Sequence, residues 1–160
     1  YYDIIRSKTA SLLASACSAG AWSTTKNDEI AEKMRLFGEK TGISFQIKDD
    51  LFDYASEDIG KPTGNDIKEK KMTLPLIYTV NNIDKATRRK IINIVKNNNN
   101  DKKKVAWVLD VVKKTGGIEY AVEKMNEYKN EALNILAQCP DNEYRKGLAD
   151  LVHYVTERKY

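Results

Sequence analysis

The chain has 160 residues, which suits one domain and is long enough to bury a core without disulfide or metal staples. Its 41% hydrophobic and 31% charged residues are an ordinary globular balance, no apolar run approaches a membrane span, and a net charge of +4 is too mild an excess to demand a nucleic-acid partner. Two distant cysteines without a C-x-x-C and a single histidine, His153, argue against a disulfide framework, a zinc site or a multi-histidine metal centre, and make a reducing cytoplasm the default.

The pattern is helical nearly throughout, with only three prolines and little strand-like alternation. The first segment, 1–21, starts at Tyr1 rather than Met, inside a helical pattern, which reads as truncation. Its middle is unusually slim, with Ala10, Ala14, Ser18 and Gly20 among its small residues, so a neighbouring helix can come close; Lys8 and Thr9 interrupt that surface. Cys17 and Cys139 read as small core residues. A turn over 23–27 follows, with Asn27 or Asp28 as N-cap, then a long helix to about Ala55. Ile30, Met34 and Phe37 give that helix its early apolar spacing, and Ile43, Ile47, Leu51 and Tyr54 its later one.

Residues 56–65 form a loop marked by Gly60, Pro62 and Gly64. Helix resumes from Asp66 and ends at Asn81-Asn82; a further helix over 84–96 buries Ile91, Ile92 and Val95. The Asn-rich then Lys-rich connector 97–104 reads as solvated, and Lys102-Lys103-Lys104 comes with no reading helix or aromatic platform for nucleic acid. Helices over 105–114, 118–139 and 143–158 close the chain, the first stopped by Gly116-Gly117 and the second by Pro140. About seven helices with short connectors predict an all-α bundle.

The run Gln46-Ile47-Lys48-Asp49-Asp50-Leu51-Phe52-Asp53 carries the chemistry. With Gln46 set at zero on a helix, Asp50 falls at about 40°, Asp53 at about 340° and Asp49 at about 300°, one polar stripe between apolar flanks. Gly42, one turn earlier, leaves room above that stripe. Carboxylates so close repel one another and call for a cation. Hard oxygen ligands without Cys or His point to Mg²⁺ or Ca²⁺, and magnesium is commonly shared with phosphate oxygens. The loop that follows returns Lys61 and Asp66 toward the stripe, and Lys71 stands just before Met72-Thr73-Leu74-Pro75; lysines beside an acidic metal site suit a diphosphate.

The runs F-Q-I-K-D-D-L-F-D (45–53) and G-K-P-T-G-N-D-I-K-E-K-K-M-T-L-P-L-I (60–77) resemble the second aspartate-rich region of the trans-polyprenyl diphosphate synthases. Lys8-Thr9 resembles that family's K-T-A motif, and the ending L-A-D-L-V-H-Y-V-T-E-R-K-Y is similar to that of long-chain members. The resemblance implies the isoprenoid-synthase type of bundle, with residues 1–160 the C-terminal portion of a single synthase domain. It implies Mg²⁺ held by Asp49, Asp50 and Asp53, Gln46 near the metal or the diphosphate, Lys8, Lys61 and Lys71 on diphosphate oxygens, and Thr9 beside the reacting carbons. Allylic diphosphate and isopentenyl diphosphate are the implied partners, in a full-length homodimer. The family's usual Gly is replaced here by Lys70. The family's first aspartate-rich motif has no counterpart in this chain, so the resemblance implies a missing N-terminal part and no turnover by the chain alone. The competing expectation is a non-catalytic helical subunit of a heteromeric prenyl synthase.

Overall fold

The computed structural model describes residues 1–55 and 63–158, and among them the chain is helical with no strand. In chain order the elements are α1 (Tyr2–Ile5), a π turn (Arg6–Ala10), α2 (Ser11–Thr25), α3 (Asp28–Leu51), a 3-10 turn (Phe52–Tyr54), α4 (Asn65–Lys68), α5 (Leu74–Asn81), α6 (Lys85–Asn97), α7 (Lys102–Lys114), α8 (Gly117–Leu136) and α9 (Glu143–Glu157). They fall into two compact units. Among the described residues, one gathers Tyr1, 49–55 and 63–123; the other gathers Tyr2–Lys48 and 124–158.

In the unit of residues 49–123, the core comes from α5, α6 and α7. Leu76, Ile91, Val108 and Val112 are completely enclosed, with Ile67 of α4 among them. Apolar side chains at i, i+3 and i+4 or i+7 make one buried stripe on each helix: Ile91, Ile94 and Val95 on α6, Val105, Val108 and Val112 on α7. Ile94 thus takes the core place expected of Ile92, which is only half-buried. Removing each such side chain from water stabilises the fold by about 1.5–3 kcal/mol. Asp84 and Asp101 start α6 and α7 by accepting two backbone N–H bonds each.

The other unit packs differently. Phe37, Ala132, Leu136 and Val152 form its buried centre, with Cys17 and Met34 half-buried against them. The thiol of Cys17 is pushed up by burial. Cys139 is also only half-buried, so neither cysteine is the enclosed core residue expected. The slim face of the first segment works as the sequence predicts: a Cβ on Gly38 would lie 2.5 Å from the Leu13 carbonyl oxygen, and one on Gly42 would lie 2.5 Å from Ala10 Cα. Gly42 therefore leaves no open room; its missing side chain is the contact itself. Other small residues of α2, including Ser11, Ser18 and Ala19, line a groove of about 750 Å³ with Arg6, Trp22 and Arg35.

The helix boundaries shift for local reasons. α2 runs on to Thr25, partway into the turn expected at 23–27, because the hydroxyls of Ser23, Thr24 and Thr25 bond back to carbonyls of Gly20 and Ala21 instead of breaking the helix. It stops at Lys26, which is left-handed (φ 52°). Asn27 is the N-cap of α3, accepting from Glu29 and Ile30. The helix expected to run on from Asp66 is interrupted between Lys68 and Leu74, where Lys70 takes φ 60°. Most of the 56–65 loop, with Lys61, lies outside the described residues.

Candidate functional site

The acidic run sits where α3 ends. α3 closes at Leu51, and Phe52–Tyr54 tightens into a 3-10 turn, so the regular helical wheel describes Asp49 and Asp50 but not Asp53. The three carboxylates then have different surroundings. Asp49 is exposed. Asp50 is 9% exposed and accepts a hydrogen bond from the Tyr1 hydroxyl at 2.6 Å. Asp53 is half-buried and turns toward α4: its carboxylate accepts from the backbone N–H of Asn65 (2.7 Å) and Asp66 (3.1 Å), while its carbonyl accepts from Gly64 N–H (3.0 Å). Gly64 permits this turn. Its φ of 77° is left-handed, and a Cβ there would meet Val105 Cγ1 at 2.6 Å.

Asp66 lies within this acidic group. Its carboxyl is pushed up to about 6, first by burial and then by the charges of Asp53 and Asp50, with Lys71 pulling the other way. Asp53 is also raised by burial, against the pull of the N–H bonds from Asn65 and Asp66. Lys71 reaches Asp66 Oδ1 at 3.5 Å and Glu69 at 2.5 Å, and the Glu69 bond holds its ammonium above the usual range. Of the two adjacent lysines, Lys71 is the one brought to the acidic group. Lys70 instead occupies a left-handed position, which explains on physical grounds why glycine suits that place.

Burial lifts this carboxyl most, and the charges of Asp53 and Asp50 add to it more than Lys71 takes away. The donor set is all hard oxygen, which fits a divalent cation of the magnesium or calcium kind. Among the described residues, no group of three or more His, Cys, Asp or Glu is gathered so as to hold a metal by itself. A magnesium ion shared with phosphate oxygens takes one or two carboxylates, so the donor set suits that use better than an all-protein cage.

Lys8, Thr9 and Gln46 belong to the other unit. Lys8 is exposed, and both Lys8 and Thr9 stand on the π turn, a helix defect often kept at functional sites. The Thr9 hydroxyl donates to Gln46 Oε1 at 2.8 Å, so two residues singled out 37 positions apart do meet.

Sequence reasoning missed Tyr1, Tyr54 and Thr73. The hydroxyls of Tyr54 and Thr73 lie 2.6 Å apart, with either able to donate. Burial raises the Tyr54 phenol above its ordinary range, the Asp53 charge adding to it. The signal was present for Thr73, a polar residue inside an otherwise apolar helix start. Tyr54 is masked by its fit to the apolar flank.

The family model described as polyprenyl synthetase matches residues 1–112. Heptaprenyl diphosphate synthase component 2 of Geobacillus stearothermophilus is 34% identical over all of this chain and 49% of its own length. A geranylgeranyl pyrophosphate synthase structure from Bacteroides thetaiotaomicron superposes with a TM-score of 0.91 at 40% identity, over 99% of this chain and 52% of that one. A polyprenyl synthase from Caulobacter crescentus, solved with calcium and isoprenyl diphosphate, gives 0.89 at 28% identity, over 100% of this chain and 49% of that one. The chain thus spans about half the length of the relatives it matches, and no described helix is long and apolar enough to cross a membrane. A family model that covers well over half the chain, together with a shared all-α fold at these identities, shows that the chain belongs to the polyprenyl synthetase family, the trans-polyprenyl diphosphate synthases.

Proposed function

We propose that this chain is the C-terminal portion of a cytoplasmic prenyltransferase that adds isopentenyl diphosphate to an allylic diphosphate. The observation that carries the reading is the convergence of Asp53, Asp66 and Lys71, where the Asp66 carboxyl is held at about 6. Such a group has carboxylates for a divalent ion and an ammonium for a phosphate oxygen. Asp49, Asp50 and Asp53 are the proposed magnesium residues. Magnesium, when bound, would draw charge from the departing diphosphate. Lys71 is proposed to neutralise diphosphate oxygens, its ammonium paired with Glu69 at 2.5 Å and lying 3.5 Å from Asp66. Lys8 is proposed for the same contact, and Lys61 by resemblance alone. Thr9 and Gln46 form a hydrogen-bonded pair that fixes the hydroxyl proposed to stand beside the reacting carbons.

Titration calorimetry with magnesium pyrophosphate tests this. Saturable binding that needs Mg²⁺ and is lost in Asp53→Asn is the expected result; binding indifferent to Mg²⁺ and to Asp53 would overturn the metal assignment. Purified chain given both diphosphates should yield no elongated product, because the family's other aspartate-rich motif is not in it. The full-length protein is proposed to be a homodimer.

A non-catalytic subunit of a heteromeric synthase is the second reading. What favours it is the relative from Geobacillus stearothermophilus, a synthase component 2. The gene sequence upstream of Tyr1 separates the two readings: an aspartate-rich D-D-x-x-D motif followed by an Arg pair supports the enzyme, and its absence supports the subunit.

A further inference from the structure

The Tyr54–Thr73 hydrogen bond closes a ring of polar links around the acidic group. Tyr54 is covalently next to Asp53. The Asp53 carboxylate accepts the Asp66 N–H (3.1 Å), and the Asp66 carbonyl accepts the Lys71 N–H (2.8 Å). Two residues on, Thr73 returns to Tyr54 at 2.6 Å. Asp53 and the Lys71 backbone both belong to this ring, so its closure ties the main chain that carries the ammonium to the carboxylate.

The Thr73 hydroxyl has another use available. Thr73 is the N-cap of α5, with extended backbone (φ −86°, ψ 165°), yet its side chain caps no N–H of that helix. Pro75, in the first turn, has already removed one N–H that a capping hydroxyl could accept. The hydroxyl is instead committed to Tyr54. Thr73 is 4% exposed, so solvent does not supply a substitute partner.

We propose that Tyr54 and Thr73 are positioning residues: their hydrogen bond holds the main chain at Lys71 in fixed relation to Asp53, so that both would serve one metal-bound diphosphate. This rests on the functional reading above. A hydrogen bond that only stabilised the fold would not alter affinity for one ligand once the variant is folded.

The test is calorimetric titration of the unmodified chain and of Tyr54→Phe, Thr73→Val, Thr73→Ser and the Tyr54→Phe/Thr73→Val double variant with magnesium pyrophosphate. Far-UV circular dichroism is recorded for each. Tyr54→Phe and Thr73→Val should each weaken binding about fivefold to tenfold, the scale of one lost buried hydrogen bond. The double variant should be no weaker than either single one, and Thr73→Ser, which keeps the hydroxyl, should bind like the unmodified chain. Amide exchange of Asp66, whose N–H bonds to Asp53, should quicken in the weakened variants while that of Val108 in the core stays slow. If Tyr54→Phe loses helicity, Thr73→Val carries the comparison, since it keeps the branched shape. Unmodified affinity in Tyr54→Phe and Thr73→Val, with Asp53→Asn still abolishing binding, overturns the positioning role alone. No binding by the unmodified chain overturns the functional reading and this role with it.

Discussion

Around Val108, side chains from three helices fill the space between backbones; around Gly42, the backbones themselves touch. The first region is held by what its residues carry and the second by what they lack. Both regions are closely packed, but they fail in opposite directions. A core of interlocked aliphatics suffers when atoms are removed, because the walls collapse only in part. A glycine–alanine crossing suffers when atoms are added, because a helix backbone cannot step aside as a side chain can.

Five substitutions break or sharpen that contrast. Ile91→Ala empties a fully enclosed site and should cost about 2–5 kcal/mol in urea unfolding. A loss under about 1 kcal/mol would mean that the 49–123 core is looser than its burial suggests. Gly42→Ala adds one methyl against Ala10 Cα and should cost about 1–3 kcal/mol. Gly20→Ala, the control in α2 with nothing within 4 Å, should instead gain about 0.5–1 kcal/mol. If both glycine changes move the urea midpoint alike, helix propensity and not close approach governs that region.

The third prediction concerns charge. Asp66 titrates at about 6 in the folded chain against 3.8 ordinarily, so the folded state binds this proton more tightly than the unfolded state does. Stability contributed by the protonated form is therefore present at low pH and lost as pH rises from about 4 through 6. With the side chain 19% exposed, the loss discounted for screening is about 1–2 kcal/mol. Asp66→Asn should flatten the fall in unfolding free energy between pH 4 and pH 7.5 by that amount; an unchanged slope would show that Asp66 is not perturbed. An effect as small as that of Gly20→Ala is expected of Lys70→Gly, which relieves a left-handed φ and should raise stability by about 0.5–1 kcal/mol, read as a higher thermal midpoint.

The candidate residues could be picked out because their motifs are contiguous. The aspartates, Thr9, Gln46 and Lys71 are visible in the chain, and Thr9 does meet Gln46. Illegible were the features that depend on an element ending. Nothing in F-D-Y announces that the helix tightens after Leu51, yet that change turns Asp53 onto the N–H groups of Asn65 and Asp66. Tyr54 fits an apolar stripe by spacing, and only its hydroxyl's partner, 19 residues away, reveals a polar task. Gly42 looked like open space because a missing side chain reads the same whether it faces solvent, ligand or another helix.

By itself the sequence determined the helical architecture, the start of the long helix near Asn27, and the residue types gathered in the acidic run. These depend on period, local hydrogen bonding and residue type, which act over a few positions. Tertiary structure decided which carboxylate is buried, which turned to a backbone, which of two lysines reached Asp66, and which glycine became a contact. Those outcomes depend on desolvation and on distances between segments far apart in the chain, and no local pattern encodes them.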